Sequence, residues 1–294
     1  MEQSKGQAWR LALAQEQPLQ VVGVVNAYAA LLADSAGFKA LYVSGAAVAN
    51  VQGLPDLGLI TLADVVATVQ SITARVALPV LVDADTGFGS ILNVAKTVQA
   101  LTAAGAAGLH LEDQTWPKRC GQLSNKQLVT TVEMQQKIAA AVKAKTCADF
   151  FIMARTDALA VEGLESAIKR AQAYVAAGAE MIFAEALGSL EEYQAFTSAI
   201  GVPVLGNLTE FGKTPLYTVQ EMAEVGVAMA LYPLSAFRAM NAAALQVYQS
   251  IRKEGSQKNI LSMMQSREDL YKFLHYSDYE ATLKAADDQV NNSL

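Results

Sequence analysis

The feature that most constrains this chain is a phrase repeated along it: a helical pattern, a small-residue stop, then a short apolar run. "ADSAGFKALYVSG", "TAAGAAGLHLED", "VAAGAEMIFAEA" and "AEVGVAMALYPL" are four instances. In each, a glycine supplies a helix end, where positive φ is cheap. The apolar residues that follow read as a strand buried on both faces. Read throughout, the pattern predicts eight strands, at 20–27, 40–45, 79–85, 108–113, 150–157, 180–186, 203–210 and 229–234. Segments such as "LADVVATVQSITARV", "NVAKTVQALTAAG" and "LESAIKRAQAYVAAG" separate them, with apolar residues at helical steps. Eight alternating units predict an α/β fold of the closed (β/α)8 TIM-type. An open doubly wound sheet is the competing arrangement, but no GxGxxG turn follows the first strand.

After the eighth strand come a long helical pattern at 236–253, the break "EGSQKN", and two more helical segments near 262–274 and 279–290. The expected organisation is a barrel over 1–253 and a C-terminal helical extension over 254–294. Net charge is −6 and no Lys/Arg run exceeds two, which argues against a nucleic-acid surface. Two cysteines without CxxC spacing suit neither a disulfide framework nor a zinc site. No apolar stretch approaches the roughly 20 residues of a spanning helix, and "MEQSKGQAWRLALAQEQPLQ" lacks a signal-peptide core. A cytoplasmic location with no membrane partner is expected.

The strands are apolar until their C-terminal ends. There the character switches, at Asn26, Ser44, Asp83, Asp85, Glu112, Asp113, Arg155, Asp157, Glu185, Asn207, Thr209 and Glu210. Barrel active sites are assembled at this rim, although helix caps also place such residues after strands.

"VDADTGFG" puts Asp83 and Asp85 two apart on the expected strand, so their carboxylates should point the same way. Adjacent ionised carboxylates repel. A divalent cation such as Mg2+ resolves the conflict and suits an open rim, with Glu112 available to hold a metal-bound water. A cap plus a hydrogen-bonded aspartate, or phosphate cradling by "TGFG", are the alternatives. Arg155, in "MARTDA", is either a structural ion pair or a clamp for an acidic substrate. Tyr42 and Ser44 are again two apart, before Gly45, and Tyr42 is equally readable as core. Arg238 and Arg267 read as surface arginines by composition alone.

Cys120 follows strand four in "WPKRCGQ". Lys118 and Arg119 are expected to lower its thiol below the usual range of about 8.5, for service as nucleophile or proton donor. The loop holds no histidine, which disfavours a Cys–His nucleophilic pair. His110 reads as a core residue and Cys147 as incidental.

"LYVSGAAVAN", "GLPDLGL", "VDADTGFG", "HLEDQ", "KRCG", "MARTDALAVEG", "GNLTEFGKTPL" and "LYPLSAFRAMN" occur in this order. Together they resemble the methylisocitrate lyases of the isocitrate lyase / phosphoenolpyruvate mutase superfamily, over nearly the whole chain. The resemblance implies Mg2+-dependent carbon–carbon cleavage of 2-methylisocitrate to pyruvate and succinate, a step of propionate breakdown. It implies a homotetramer with exchanged C-terminal helices. It also implies metal binding through Asp83, Asp85 and Glu112, a base at Tyr42 or Asp56, and a proton donor at Cys120 on a closing loop. Matching positions put Ser44, Gly45, Ala46, Gly121, Arg155, Glu185, Asn207, Leu208, Thr209, Arg238 and Arg267 around a di- or tricarboxylate substrate. The family usually reads KRCGH where this chain has Gln122, and "SGAAVANVQGLPD" is about one residue short, with Ala46 and Ala47 in a glycine-rich place. These departures keep open a related enzyme acting on isocitrate, oxaloacetate or a phosphonate, or a binding protein with weakened catalysis.

Overall fold

The computed structural model describes residues 3–123 and 125–291. Its parallel strands close into an eight-stranded barrel in chain order. They are β1 (Leu19–Gly23), β2 (Ala40–Val43), β3 (Val80–Asp83), β4 (Gly108–Glu112), β5 (Phe151–Thr156), β6 (Met181–Ala184), β7 (Val204–Asn207) and β8 (Met229–Tyr232). The expected (β/α)8 architecture is observed.

Each strand is shorter than its apolar pattern, mostly at the C-terminal end. Some polar residues there leave the sheet to cap the next helix. Asn26 Oδ1 accepts from Ala29 N at 2.8 Å to start the helix Ala27–Ser35. Ser44 Oγ accepts from Ala47 N at 3.4 Å to start Gly45–Val51. Cap hydrogen bonds of this kind satisfy donors that a helix start leaves orphaned.

Side-chain alternation divides each strand between two cores. Leu41, Val43, Val80, Val82, Ile152 and Ala154 face outward into the layer packed under the helices. Tyr42, Leu81, Phe151, Met153, Phe183 and Leu231 face inward and fill the barrel. At the N-terminal end of the strands the helix Lys5–Gln15 lays fully buried Trp9 against Phe151, with ring centroids 5.1 Å apart. At the opposite end the inward parity falls on polar residues. Asp83 continues the Leu81 row, Arg155 the Phe151 and Met153 row, and Asn207 the Leu205 row. The same step of two that packs the core therefore aims these groups into the barrel mouth.

By contact density the chain forms two units, Met1–Phe237 and Arg238–Leu294. The division falls within the helix Ser235–Glu254, earlier than the boundary at 253 that the sequence suggests. The second unit is helical, with Arg267–Phe273 and Tyr276–Asn291 after a 3-10 turn at Lys258–Met263. Among its described residues Leu245, Tyr248, Leu261 and Leu283 are each more than half exposed.

Phe151 lies at the join between the inner core and the Trp9 helix. Phe151→Ala is expected to lower the unfolding free energy by about 3–5 kcal/mol, measured by denaturant titration.

Candidate active site

The barrel mouth concentrates buried carboxylates. Asp83, Asp85, Glu112, Asp157 and Glu185 are all at most 5% exposed. Asp83 ends β3, but Asp85 lies beyond the strand, in left-handed backbone at φ 46°. The expectation that strand pleat pairs the two is corrected: a tight turn brings them together. Asp83 Oδ1 accepts from Asp85 N at 3.0 Å, and Asp83 Oδ2 accepts from Gly45 N at 3.0 Å. A Cβ on Gly45 would lie 3.0 Å from Asp85 Oδ1 and 3.1 Å from Asp83 Oδ2. The bare glycine is what lets the backbone meet both carboxylates.

Charge on the two aspartates is uneven. Burial and negative Asp83 push Asp85 up to about 7, against the pull of Lys118. Burial also opposes ionisation of Asp83, yet His110, Lys118 and Arg155 hold it below the ordinary carboxylate range. Burial raises Glu112 well above its usual value despite Arg155, and raises Glu185 likewise.

Arg155 is the central cation. Its Nε donates to Asp157 Oδ2 at 3.0 Å and its Nη2 to Asp157 Oδ1 at 3.1 Å. Nη2 also stands 3.4 Å from Glu112 and 3.5 Å from Glu185. Asn207 Nδ2 reaches Glu185 at 3.3 Å. The phenol of Tyr42 donates to Asp83 Oδ2 at 3.3 Å and lies 2.9 Å from His110 Nε2. Burial first and Asp83 second raise Tyr42 well above the tyrosine range, so it stays protonated. Burial lowers His110 to about 4, so the imidazole beside Asp83 is neutral. His110 is a core residue as expected, but its ring also orients the mouth through Tyr42.

The loop after β4 folds down onto this rim. Lys118 is buried, pairs with Asp56, and stands 2.8 Å from Asp85 Oδ1. Lys126, also buried, donates to Asp157 Oδ1 at 2.7 Å and to the Gly121 carbonyl at 2.6 Å. Gln114 grips Arg119 at both backbone groups, at 2.9 and 3.0 Å. Gln122 uses both ends of its amide. Its Nε2 donates to Glu185 Oε1, and its Oε1 accepts from Lys213 N at 2.7 Å. Between these anchors a Cβ on Gly121 would lie 2.1 Å from Arg155 Nη2, so only glycine passes.

Cys120 is partly buried and free. The expected lowering of its thiol is corrected. Burial raises it, opposed by a backbone hydrogen bond from Gln122. Lys118 is already engaged by two carboxylates, and Arg119 is exposed. The thiol therefore keeps its proton, as a donor requires.

The remaining expected residues divide. Thr209 is buried beside Gln122: the hypothetical Cβ of Gly212 would meet both, at 2.9 and 2.7 Å. Ser44 is a helix cap, and Ala46 is the second residue of the same helix. Leu208 packs its side chain into the outer core and donates its N–H to Leu231, so its side chain is not part of the mouth. Arg238 lies in Ser235–Glu254 and Arg267 opens Arg267–Phe273, both in the second unit. Lys118 as counter-ion and Lys126 were not anticipated. No spacing signal reveals Lys126, whose partner Asp157 is 31 residues away.

The donor set fits a hard divalent cation. Asp83, Asp85 and Glu112 offer only oxygen, and buried Glu112 Oε1 has no hydrogen-bond partner. Among the described residues no three acidic, His or Cys groups stand together closely enough to hold a metal ion by themselves. Mg2+ keeps several waters and uses few protein carboxylates, so a half-built site suits it.

The model of the phosphoenolpyruvate phosphomutase family matches residues 11–252. The chain belongs to the isocitrate lyase / phosphoenolpyruvate mutase superfamily. The 2-methylisocitrate lyase of Escherichia coli (strain K12) is 57% identical over 282 residues, 95% of this chain and 95% of that protein. Among solved structures of the superfamily, 2,3-dimethylmalate lyase gives a TM-score of 0.89 at 32% identity, covering 97% of this chain and 96% of that one. Phosphonopyruvate hydrolase in complex with oxalate and Mg++ gives 0.85 at 31% identity, covering 95% and 98%.

Seating of the loop depends on Gly121. Gly121→Ala is expected to unseat it and to speed tryptic cleavage at Lys118 and Lys126 several-fold, read by limited proteolysis and mass spectrometry. Unchanged protection would show that Gly121 is dispensable for the fit.

Proposed function

We propose that the chain is a Mg2+-dependent carbon–carbon lyase that cleaves 2-methylisocitrate to pyruvate and succinate. The observation that carries this reading is the protonated Cys120 thiol on a loop seated over a buried carboxylate–arginine mouth, in a chain 57% identical to a 2-methylisocitrate lyase. Asp83, Asp85 and Glu112 would hold the ion, which when bound would polarise the substrate hydroxyl and its neighbouring carboxylate.

The chain's own groups supply the rest. Tyr42 keeps its proton and orients Asp83, which leaves Asp56 as the base for the substrate hydroxyl. Proton transfer to Asp56 lets the C–O pair become the pyruvate carbonyl. The C–C bond breaks, and its electron pair goes to the succinate carbon. Cys120 gives its S–H proton to that carbon, and the resulting thiolate regains a proton, through solvent, from Asp56. Arg155, Asn207 and Thr209 bind substrate carboxylates, and the seated loop excludes water while the carbanion exists.

Homotetramer formation with exchange of the C-terminal helices accompanies this reading. The large apolar side chains exposed on the second unit support it. Among the described residues no helix is long and apolar enough to cross a membrane.

Gln122 favours a second reading, a superfamily enzyme acting on another small acid. The amide clasp on Glu185 replaces the group that the family usually has there. Comparison of kcat/KM for 2-methylisocitrate, isocitrate, 2,3-dimethylmalate, oxaloacetate and phosphonopyruvate separates the two.

Pyruvate release from 2-methylisocitrate is expected with Mg2+ and to be abolished by EDTA. Cys120→Ser is expected to lower kcat by about 10²–10⁴ with KM little changed. Full activity of that variant would remove the proton-donor role.

A further inference from the structure

Lys118 and Lys126 are both buried on the β4 loop, but Lys118 is the one that bridges two carboxylates. It lies on the β4 loop two residues before Cys120, yet its side chain is only 4% exposed. Its ammonium joins Asp56, from the loop after the helix Gly45–Val51, to Asp85, from the turn after β3. Asp83 and Asp56 add further negative charge around Asp85. Burying so many carboxylates requires a cation among them, and Lys118 is the one that faces Asp85.

A metal ion needs the same place. Mg2+ binds a carboxylate oxygen at about 2.0–2.1 Å and demands octahedral space around it. The Lys118 Nζ already stands 2.8 Å from Asp85 Oδ1. An ammonium and a divalent ion at one oxygen repel strongly, because both charges sit where solvent screens them little. The lysine retains a second partner, Asp56, to which it can withdraw. A cavity of about 440 Å³ lined by Asp85, Lys118, Thr86, Phe88 and Trp116 adjoins the pair and offers room for the side chain to swing.

We propose that Lys118 is an internal stand-in for the metal. It neutralises Asp85 in the metal-free protein and is displaced from Asp85, towards Asp56, when the ion binds. Metal loading is thereby coupled to the position of the loop that carries Cys120, and Lys118 acts as a positioning residue. This inference rests on the Mg2+ reading above.

Calorimetric titration of MgCl2 into the metal-free protein tests it. Lys118→Met removes the competing charge and is expected to bind Mg2+ about tenfold more tightly or better. Lys118→Arg keeps the charge and is expected to stay within about threefold of wild type. Equal or weaker binding by Lys118→Met overturns the stand-in role while leaving the metal site intact. Absence of Mg2+ binding to wild type and variant alike overturns the metal reading, and this inference with it. A second measurement needs no variant. Acetic anhydride labelling of the wild-type protein, read at Lys118 by mass spectrometry and normalised to exposed Lys169, is expected to rise several-fold on adding Mg2+. Labelling unchanged by Mg2+ overturns the displacement even if Lys118→Met does not fold.

Discussion

Charge balance inside the barrel mouth governs the rest of the structure. Asp83, Asp85, Glu112, Asp157 and Glu185 are buried together, which is tolerated only when opposite charge and hydrogen bonds meet them. Arg155 is supplied by the barrel itself, from β5. Lys118 and Lys126 come from the loop after β4. The loop therefore does not merely lie over the site; its two lysines complete the neutralisation of the rim. A loop lifted away would leave Asp85 and Asp157 without those ammonium groups in a poorly solvated mouth. Gly121 and Gln122 then set how closely it seats, one by having no side chain and the other by holding Glu185 and the Lys213 backbone at once.

The same balance accounts for the thiol. Two cations next to a cysteine in sequence suggest an activated thiolate. In the fold one of them is consumed by carboxylates and the other is exposed, and burial decides the outcome. Adjacency along a chain is a poor measure of electrostatic environment when long, flexible side chains separate the charges. A thiol that stays protonated near neutral pH suits delivery of a proton to carbon, and an opposite shift would suit attack on carbon.

The barrel was legible because its signal is local and repeated. A glycine stop and an apolar run mark each strand, and side-chain parity follows from the strand alone. That parity placed Asp83, Glu112, Arg155 and Asn207 correctly at the rim. What failed had causes that strand parity does not encode. Asp85 meets Asp83 through a left-handed turn rather than strand pleat. Leu208 faces the outer core, one step out of phase with Leu205 and Asn207. Asn26 and Ser44 spend their polar atoms on helix starts. Lys126 finds Asp157 only through the three-dimensional path of its loop. Sequence spacing specifies which face a residue takes within an element, and it is silent on partners joined by a fold-back.

The loop also exposes a large aromatic. Trp116 is 72% exposed, against 0% for Trp9, and these are the two tryptophans of the chain. Its indole lies close to Gly58, where a Cβ would stand 3.4 Å from Nε1. One tryptophan thus sits in the buried floor of the barrel and the other on the segment bearing Cys120. Their emission should differ in colour and in access to a collisional quencher. The protein carries, in its own covalent structure, an optical reporter of the loop after β4 and an internal reference at the other end of the barrel.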